Sequence, residues 1–202
     1  MLLEAITLPV TLELDAKSKA LIAALQRMGT ETVTTTDRLP PSDAEALTPP
    51  ANGEYWTGQG GHYICTLPAL MGVPARHLIA GANEATNLTF GPDTEIKGAD
   101  SHIDGPANTA ALLASGEDHP AANYCKAYTA DGHTDFFLPA RLDLVMAHIC
   151  AKAIFNTDGY YWTSTQHSRG YAFVQDFEYG SSLWGDGRGY GRRVRAFRWI
   201  LT

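Results

Sequence analysis

The seven residues from Tyr171 to Phe177, YAFVQDF, divide at alternate positions into two sets, as the two faces of a strand do. This run constrains the fold more than any other feature of the chain. An extended strand sends successive side chains to opposite faces. One face carries Tyr171, Phe173, Gln175 and Phe177, and the other carries Ala172, Val174 and Asp176. The last segment, RRVRAFRWILT, predicts another strand, with Val194, Ala196 and Ile200 on one face. The end of the chain is therefore expected to form antiparallel strands of a sheet.

Three earlier segments carry helix signals. In DGPANTAALLASG, Pro106 lies in the first turn and Gly116 ends the helix. HPAANYCKAY predicts a second short helix, where Asp118 or His119 would meet the free backbone N–H groups. DGHTDFFLPARLDLVMAHICAKA predicts a turn, a brief buried strand and a third helix with one apolar face. That face carries Leu142, Val145, Met146, Ile149 and Ala153.

The order of the elements predicts the fold class. GEYWTGQGGHYICTL places glycines among aromatic and β-branched residues, which favours a hairpin or a strand and turn, and ARHLIAG predicts a short strand. Strands and helices do not alternate as they do in a doubly wound sheet. We therefore expect an α+β domain.

The N-terminal quarter predicts a separate arm. Residues 3–14 alternate and favour a strand, and the following segment to residue 29 favours a helix with a short apolar stripe. Residues 30–53 are polar and rich in proline, as linkers are. We expect an attachment or oligomerisation arm over residues 1–29, a linker over 30–53 and the main domain over 54–202.

Composition argues against several functional classes. The formal net charge of -7 disfavours general binding of nucleic acid. No run of roughly 18 apolar residues is present, so no insertion into a membrane is expected. The start of the chain lacks the basic region and long apolar core of a Sec signal peptide, which favours folding in a cytoplasm. Cys65, Cys125 and Cys150 lie far apart without a CxxC spacing, and reduced thiols are expected.

Three segments together resemble a known family. They are DGHTDFFLPARLDL, GYYWTSTQHSRGYAFVQDFEYG and GRRVRAFRW. The sequence is similar here to the DUF1566 family, also called the Lcl C-terminal-domain family, within the wider C-type-lectin-like fold. The matching residues are 135–144, 161–166, 172–180 and 193–198, and the resemblance extends over about residues 54–200. GEYWTGQGGHYICTL and HIDGPANTAAL are similar to phage-encoded members of the same group.

The resemblance implies a small twisted antiparallel sheet, two helices and long loops. It also implies a non-enzymatic binding protein without a cofactor, placed in the phage virion at the tail tip or fibre. The expected partners are a host-cell surface receptor, glycan or protein, and other virion proteins, with the chain as a homotrimer. Two alternatives stay open: a structural decoration or baseplate protein of the virion, and a bacterial surface adhesin-type domain. The C-type-lectin calcium signatures Glu-Pro-Asn and Trp-Asn-Asp are absent from the sequence, so calcium-dependent sugar binding is not expected.

The glycine-rich segment between the last two predicted strands is the leading binding surface. Its residues combine rigid aromatic rings with small, adaptable neighbours, which is the mixture that antibody-like binding loops use. The candidate ligand-binding residues are Tyr179, Ser182, Trp184, Asp186, Arg188 and Tyr190. Trp162, in the YYWTST segment, is interpreted instead as a core residue, and the hydroxyl residues after it as partners of the backbone.

Structural roles are favoured for the remaining acidic, histidine, arginine and cysteine residues. Asp131, His133 and Asp135 form a D-x-H-x-D pattern, for which an Asp-Gly turn is favoured over a metal site. The arginines near the C-terminus alternate between two faces, and Arg195 or Arg198 is expected in a buried salt bridge. A formylglycine-generating type of oxidase needs an active cysteine pair that the three cysteines do not suggest, so no catalytic residue is predicted.

Overall fold

The computed structural model describes residues 48–202, which form a seven-stranded sheet and three α-helices. The strands are β1 (Tyr55–Trp56), β2 (Gly61–Leu67), β3 (Arg76–Leu88), β4 (Tyr160–Gln166), β5 (Tyr171–Asp176), β6 (Ser182–Gly187) and β7 (Arg192–Leu201). The helices are α1 (Gly105–Ala114), α2 (Pro120–Ala127) and α3 (Arg141–Ala151), and a 3-10 turn (Lys152–Ile154) follows α3. The α+β class is confirmed. The predicted arm, residues 1–29, and most of the predicted linker lie outside the described residues.

The sheet is mixed, which differs from the antiparallel sheet that the family resemblance implies. Its strand order is β1-β2-β3-β7-β4-β5-β6. Neighbouring strands pair antiparallel, except that β4 and β7 run parallel through the pair Tyr161 and Arg193. The described residues also contain three α-helices, where the resemblance implies two.

The helices cover both faces of the sheet, and two apolar clusters result. Helices α1 and α2 pack over Trp162, Val174, Val194 and Ala196 on one face. Helix α3 packs over Tyr161, Phe177 and Phe197 on the other. Residues 172–177 are therefore buried on both faces, because each side of β5 meets a different layer of helices. The prediction that Trp162 belongs to the core is confirmed, since its side chain is fully buried and its Nε1 donates to the Leu88 carbonyl.

The predicted hairpin near the start of the domain is present as β1 and β2. At Gly61 a Cβ would lie 2.2 Å from the carbonyl oxygen of Ala80 on β3, so the close approach of these strands requires glycine. The next strand is longer than the predicted ARHLIAG segment. It continues to Leu88 because β7 pairs with it, with irregular register, from Arg76 to Leu88.

The first two helices begin close to the predicted residues, but they are capped differently. Asp104 precedes α1, and its Oδ1 accepts from the Ala107 N–H at 2.9 Å. No side chain caps α2. Asp118 accepts instead from the Asn123 side chain, and the buried His119 donates its Nδ1–H to the Phe90 carbonyl. No helix in residues 48–202 is long and apolar enough to cross a membrane.

The predicted apolar face of α3 is wrong, because the helix is rotated about its axis and buries a different set of residues. The structure buries Asp143, Leu144, Ala147 and Ala151, whereas Ile149 is 68% exposed. Asp143 lies in the first turn, and its Oδ2 accepts from the Ala140 N–H at 2.8 Å. This bond turns a polar residue inward and brings Leu144 and Ala147 against the sheet. The apolar side chains of Leu142 and Met146 flank the buried stripe and are half-buried.

Candidate binding surface

The segment predicted to be a glycine-rich loop is largely strand β6, which forms one edge of the sheet. It pairs antiparallel with β5, and an extra residue on β6 separates the pair Val174 and Leu183 from the pair Ala172 and Asp186. A strand of this length spans roughly 20 Å. Tyr179, in the turn before β6, and Tyr190, after its end, therefore lie at opposite ends of the hairpin and not in one loop.

The six predicted contact residues fall into different environments. Tyr179 and Tyr190 are 78% and 61% exposed, as a surface role requires. Ser182 is half-buried, and its hydroxyl accepts from the Arg141 Nε at 2.8 Å. The backbone of Trp184 belongs to β6, and its side chain lies outside the described part of the structure.

The prediction that Arg188 contacts a ligand is wrong, because its side chain is fully buried. Its guanidinium lies 4.6 Å from the centre of the Phe90 ring. The Nη1 atom donates towards the carbonyls of Pro92, Thr94 and Arg169, and Nη2 donates to the Gln166 Oε1. Neighbouring loops present carbonyls without strand partners here, and the planar guanidinium has enough donors to satisfy them. Arg188 therefore fixes the loops and is not available to a ligand.

Asp186 takes part in a compact cluster with aromatic rings. Both of its carboxylate oxygens accept from Arg192, through Nε and Nη2. The Arg192 guanidinium also lies over two rings, 5.4 Å from the centre of Tyr160 and 5.3 Å from that of Tyr190. The hydrogen bond that Arg192 donates to Asp186 raises the pKa of Arg192, so the guanidinium stays charged. The cluster holds Tyr190 in place although most of its ring faces solvent.

A shallow depression of about 370 Å³ lies beside this cluster and is lined by Tyr160, Val174, Leu183, Gly185 and Asp186. Leu183 is 42% exposed although it is apolar. A second depression of about 560 Å³ is lined by Tyr190 and by Tyr171, which is 46% exposed. Arg192 links the two depressions, because it bonds Asp186 at the first and lies over the Tyr190 ring at the second.

We call this region the edge surface and define it by Tyr160, Leu183, Asp186, Tyr190 and Arg192. Sequence reasoning identified Asp186 and Tyr190 but missed the other three as binding residues. The signal for Leu183 was its place between glycines and hydroxyl residues, next to Trp184. Tyr160 and Arg192 come from β4 and β7, so only the pairing of distant strands reveals them.

A buried polar strip supports the edge surface from beneath. Thr163, Ser164, Thr165 and Gln166 on β4 are all buried. The side chains of Thr163, Thr165 and Gln166 bond backbone groups, as predicted, whereas the Ser164 hydroxyl accepts from the Asn108 side chain. Thr163 donates to the Phe173 carbonyl at 2.9 Å. Gln166 forms two bonds with the backbone of Ile96, at 2.8 and 3.0 Å. These bonds fix β4 to β5 and to the loop before α1, so the strands beneath the edge surface are held rigidly.

The D-x-H-x-D residues form a turn and do not converge on one site. Asp131 has a positive φ of 49°, and its Oδ2 accepts from Tyr55 OH and from the N–H groups of Gly58 and Gly60. Those bonds lower the pKa of Asp131, with the Gly60 N–H contributing most. Asp135 is paired with Arg198. Within residues 48–202 no group of three or more metal-ligating side chains is present.

Asp131→Ala is expected to lower Tm by about 2–4 °C, because the two N–H groups lose their acceptor at a cost of about 1 kcal/mol. A chelator such as EDTA should leave the Tm of the wild-type protein unchanged. Differential scanning fluorimetry with and without EDTA measures both effects. A loss of Tm on adding EDTA, restored by calcium or zinc, would contradict the structural role and support a metal site.

The C-terminal arginines are engaged within the domain. Arg195 pairs with Glu84 at 2.9 Å and Arg198 with Asp135 at 2.9 Å, which confirms the predicted buried salt bridge. Arg193 also bonds Glu84, at 2.8 Å. These partners explain the arginine-rich terminal strand without a nucleic-acid ligand.

The three cysteines are free thiols. Cys65 and Cys125 are buried, and Cys150 is half-buried. Burial raises the pKa of Cys65 to about 12 and the pKa of Cys125 well above its ordinary value. Because the thiolate is the reactive form, neither buried thiol is suited to act as a nucleophile at neutral pH.

No family model matches the chain, and no curated protein matches it. Among solved structures, the chain is similar to a fimbrial protein from Bacteroides ovatus, with 13% sequence identity and a TM-score of 0.48. The match covers 62% of this chain and 36% of that protein, so the chain spans little more than a third of its length. A TM-score below 0.5 does not establish a shared fold.

Proposed function

We propose that the chain is a non-enzymatic recognition protein that binds a receptor through the edge surface. The observation that carries this proposal is the arrangement around Arg192: two tyrosine rings flank a guanidinium that Asp186 neutralises, next to the exposed Leu183. Aromatic and arginine side chains are enriched at the centres of protein interfaces.

Preorganisation is the second support. Binding costs free energy when mobile side chains are ordered, so a surface whose rings are held in advance loses less. Arg192 fixes Tyr190, and Arg188 fixes the loops on both sides of it. Leu183 lies on the edge strand, where one row of backbone groups faces away from β5. An extended segment of a partner could pair along such an edge.

The family resemblance gives this proposal its biological setting. On that resemblance the domain is a C-type-lectin-like domain in a phage tail tip or fibre, and the receptor is a glycan or protein on the host cell. Several copies in one particle would add avidity to a weak contact. A structural decoration or baseplate protein would use the same surface against other virion proteins, and an adhesin-type domain would use it on a bacterial surface.

We expect Leu183→Ser and Tyr190→Ala each to weaken binding about tenfold, since each removes a contact worth about 1–2 kcal/mol. The measurement is adsorption of the fluorescently labelled full chain to a panel of bacterial cells, followed by titration on a strain that binds. Met71→Ala is the matched control, because Met71 is 86% exposed and lies between β2 and β3, where it lines a depression with residues 100–104 and none of the edge-surface residues.

Wild-type adsorption by both edge-surface variants would refute the proposed surface. Binding only to purified tail or baseplate proteins, with no adsorption to any strain, would favour the structural alternative. Equal losses in Met71→Ala and in the edge-surface variants would indicate an effect on folding, which thermal unfolding of each variant checks independently.

A further inference from the structure

The opposite face of the β5–β6 hairpin carries a second group of side chains that the proposed function does not use. Phe173 on β5 is 6% exposed, and three nitrogen-bearing side chains surround its ring. The His102 and His167 rings lie 5.1 and 5.4 Å from it, centre to centre. The Arg141 Cζ lies 4.5 Å above the same ring.

These three side chains come from separate parts of the chain, and local bonds fix each of them. The His102 carbonyl accepts from the Leu142 N–H at 2.9 Å, which ties its loop to the start of α3. The Arg141 N–H donates to Thr165 Oγ1 at 3.1 Å. The His167 N–H donates to the Tyr171 carbonyl at 3.0 Å. The convergence is therefore built by the fold and does not depend on one flexible loop.

Part of the Arg141 guanidinium makes no hydrogen bond within the described residues. Its Nε donates to the Ser182 hydroxyl, whereas Nη1 and Nη2 form no hydrogen bond with residues 48–202. The residue is half-buried, and both His102 and His167 are exposed beside it. A guanidinium edge with a free pair of donors matches the two oxygens of a carboxylate or phosphate.

The charges around the cluster favour an anion. Burial lowers the pKa of His102, and the positive Arg141 and the neighbouring His167 lower it further, while Asp100 acts in the opposite direction. An anion bound between these groups would relieve the repulsion and raise the pKa of His102. Its affinity should therefore increase as the pH falls through the range in which histidine gains a proton.

We propose that Arg141 and His102 form a binding site for an oxyanion, a carboxylate or phosphate group of a ligand, above the ring of Phe173 and next to His167. The site is separate from the edge surface, since Phe173 and Ser182 face α3 whereas Leu183 and Asp186 face the other side of the sheet. It would allow the domain to distinguish acidic from neutral ligands.

The test is an NMR titration of the histidine ring signals of the full chain with glucuronate, inorganic phosphate and neutral glucose. Saturable shifts of the His102 and His167 signals are expected with at least one anion and not with glucose. Affinity should be at least about fivefold higher near pH 6 than near pH 8. A response to glucuronate alone identifies a carboxylate site, and a response to phosphate alone a phosphate site.

Arg141→Gln should weaken this binding at least about tenfold, because the paired donors are lost. His77→Gln is the matched control, since His77 packs against Trp56 and Tyr63, away from the cluster. Leu183→Ser should bind the anion as the wild type does, which separates this site from the edge surface. The proposal is overturned if neither anion gives saturable shifts, if Arg141→Gln binds normally while remaining folded, or if affinity is independent of pH.

Discussion

Glu84→Ala is expected to lower the free energy of unfolding by about 3–5 kcal/mol, the cost of removing one partner from a buried ion pair. Glu84 lies opposite Arg195 in the pairing of β3 with β7, and the Arg195 side chain is 6% exposed. The carboxylate also accepts from Tyr161 OH at 2.6 Å and from Asn156 at 2.7 Å. Alanine would leave the buried Arg195 guanidinium with only the Gly81 carbonyl as an acceptor, and the buried Tyr161 hydroxyl without an acceptor.

Thermal and urea unfolding measure this effect, and a fall in Tm of roughly 6–20 °C is expected for a domain of this size. Asp158→Asn is the matched control. Its carboxylate is 98% exposed and 3.7 Å from Arg193, so its loss should cost less than about 0.5 kcal/mol. Equal and small effects for both substitutions would show that the Glu84 network does not stabilise the fold.

The difference between the wild type and Glu84→Ala should also depend on pH. Burial acts to raise the pKa of Glu84, but hydrogen bonds from Tyr161, Arg195 and Asn156 outweigh it and lower the pKa below the ordinary 4.5. A lowered pKa in the folded state gives stability that is present above the ordinary value and is lost as pH falls through the folded value. The gap in Tm between the two proteins should therefore narrow in acid.

Local sequence patterns predicted which strands and helices form better than they predicted which residues those elements bury. The alternation of β5 and the Pro106 and Gly116 signals of α1 follow from backbone geometry within a few residues, and the structure contains both elements. The buried state of Trp162 also followed from its size and its neighbours. In contrast, the rotation of α3 depends on Asp143 bonding the backbone of Ala140, which periodicity of apolar residues cannot show.

The binding surface was only partly predictable for a related reason. Exposure of Tyr190 agreed with its glycine-rich surroundings, but Arg188 has the same surroundings and is buried. Arg188 differs from Tyr190 because backbone carbonyls accept from its guanidinium. Two of these carbonyls belong to Pro92 and Thr94, which lie more than 90 positions earlier in the chain. Tyr160 was missed because the guanidinium that joins it to the surface belongs to Arg192 on β7, far away in the sequence.

Arg188→Ala is expected to lower the free energy of unfolding by about 3 kcal/mol or more, since the polar groups that it satisfies become unpaired in a buried place. The carbonyls of Thr94 and Arg169 would lose their donor, the Pro92 carbonyl would keep only the Thr94 N–H, and Phe90 would lose a stacked guanidinium. Arg188→Lys should restore little of the loss, because one ammonium cannot reproduce a planar group that bonds in several directions.

Thermal unfolding and amide hydrogen exchange test this role together. The Phe90 N–H donates to the Arg188 carbonyl, and its exchange should accelerate in Arg188→Ala when the loops separate. Arg169→Ala is the matched control, because its exposed side chain makes one bond, to the Asp93 carbonyl, and should cost less than about 1 kcal/mol. A direct ligand contact would give the opposite result for Arg188→Ala: unchanged Tm and exchange with weakened adsorption. If Arg188 is a buried residue that holds the edge surface in place, Arg188→Ala should show a lower Tm, faster exchange and weaker adsorption together.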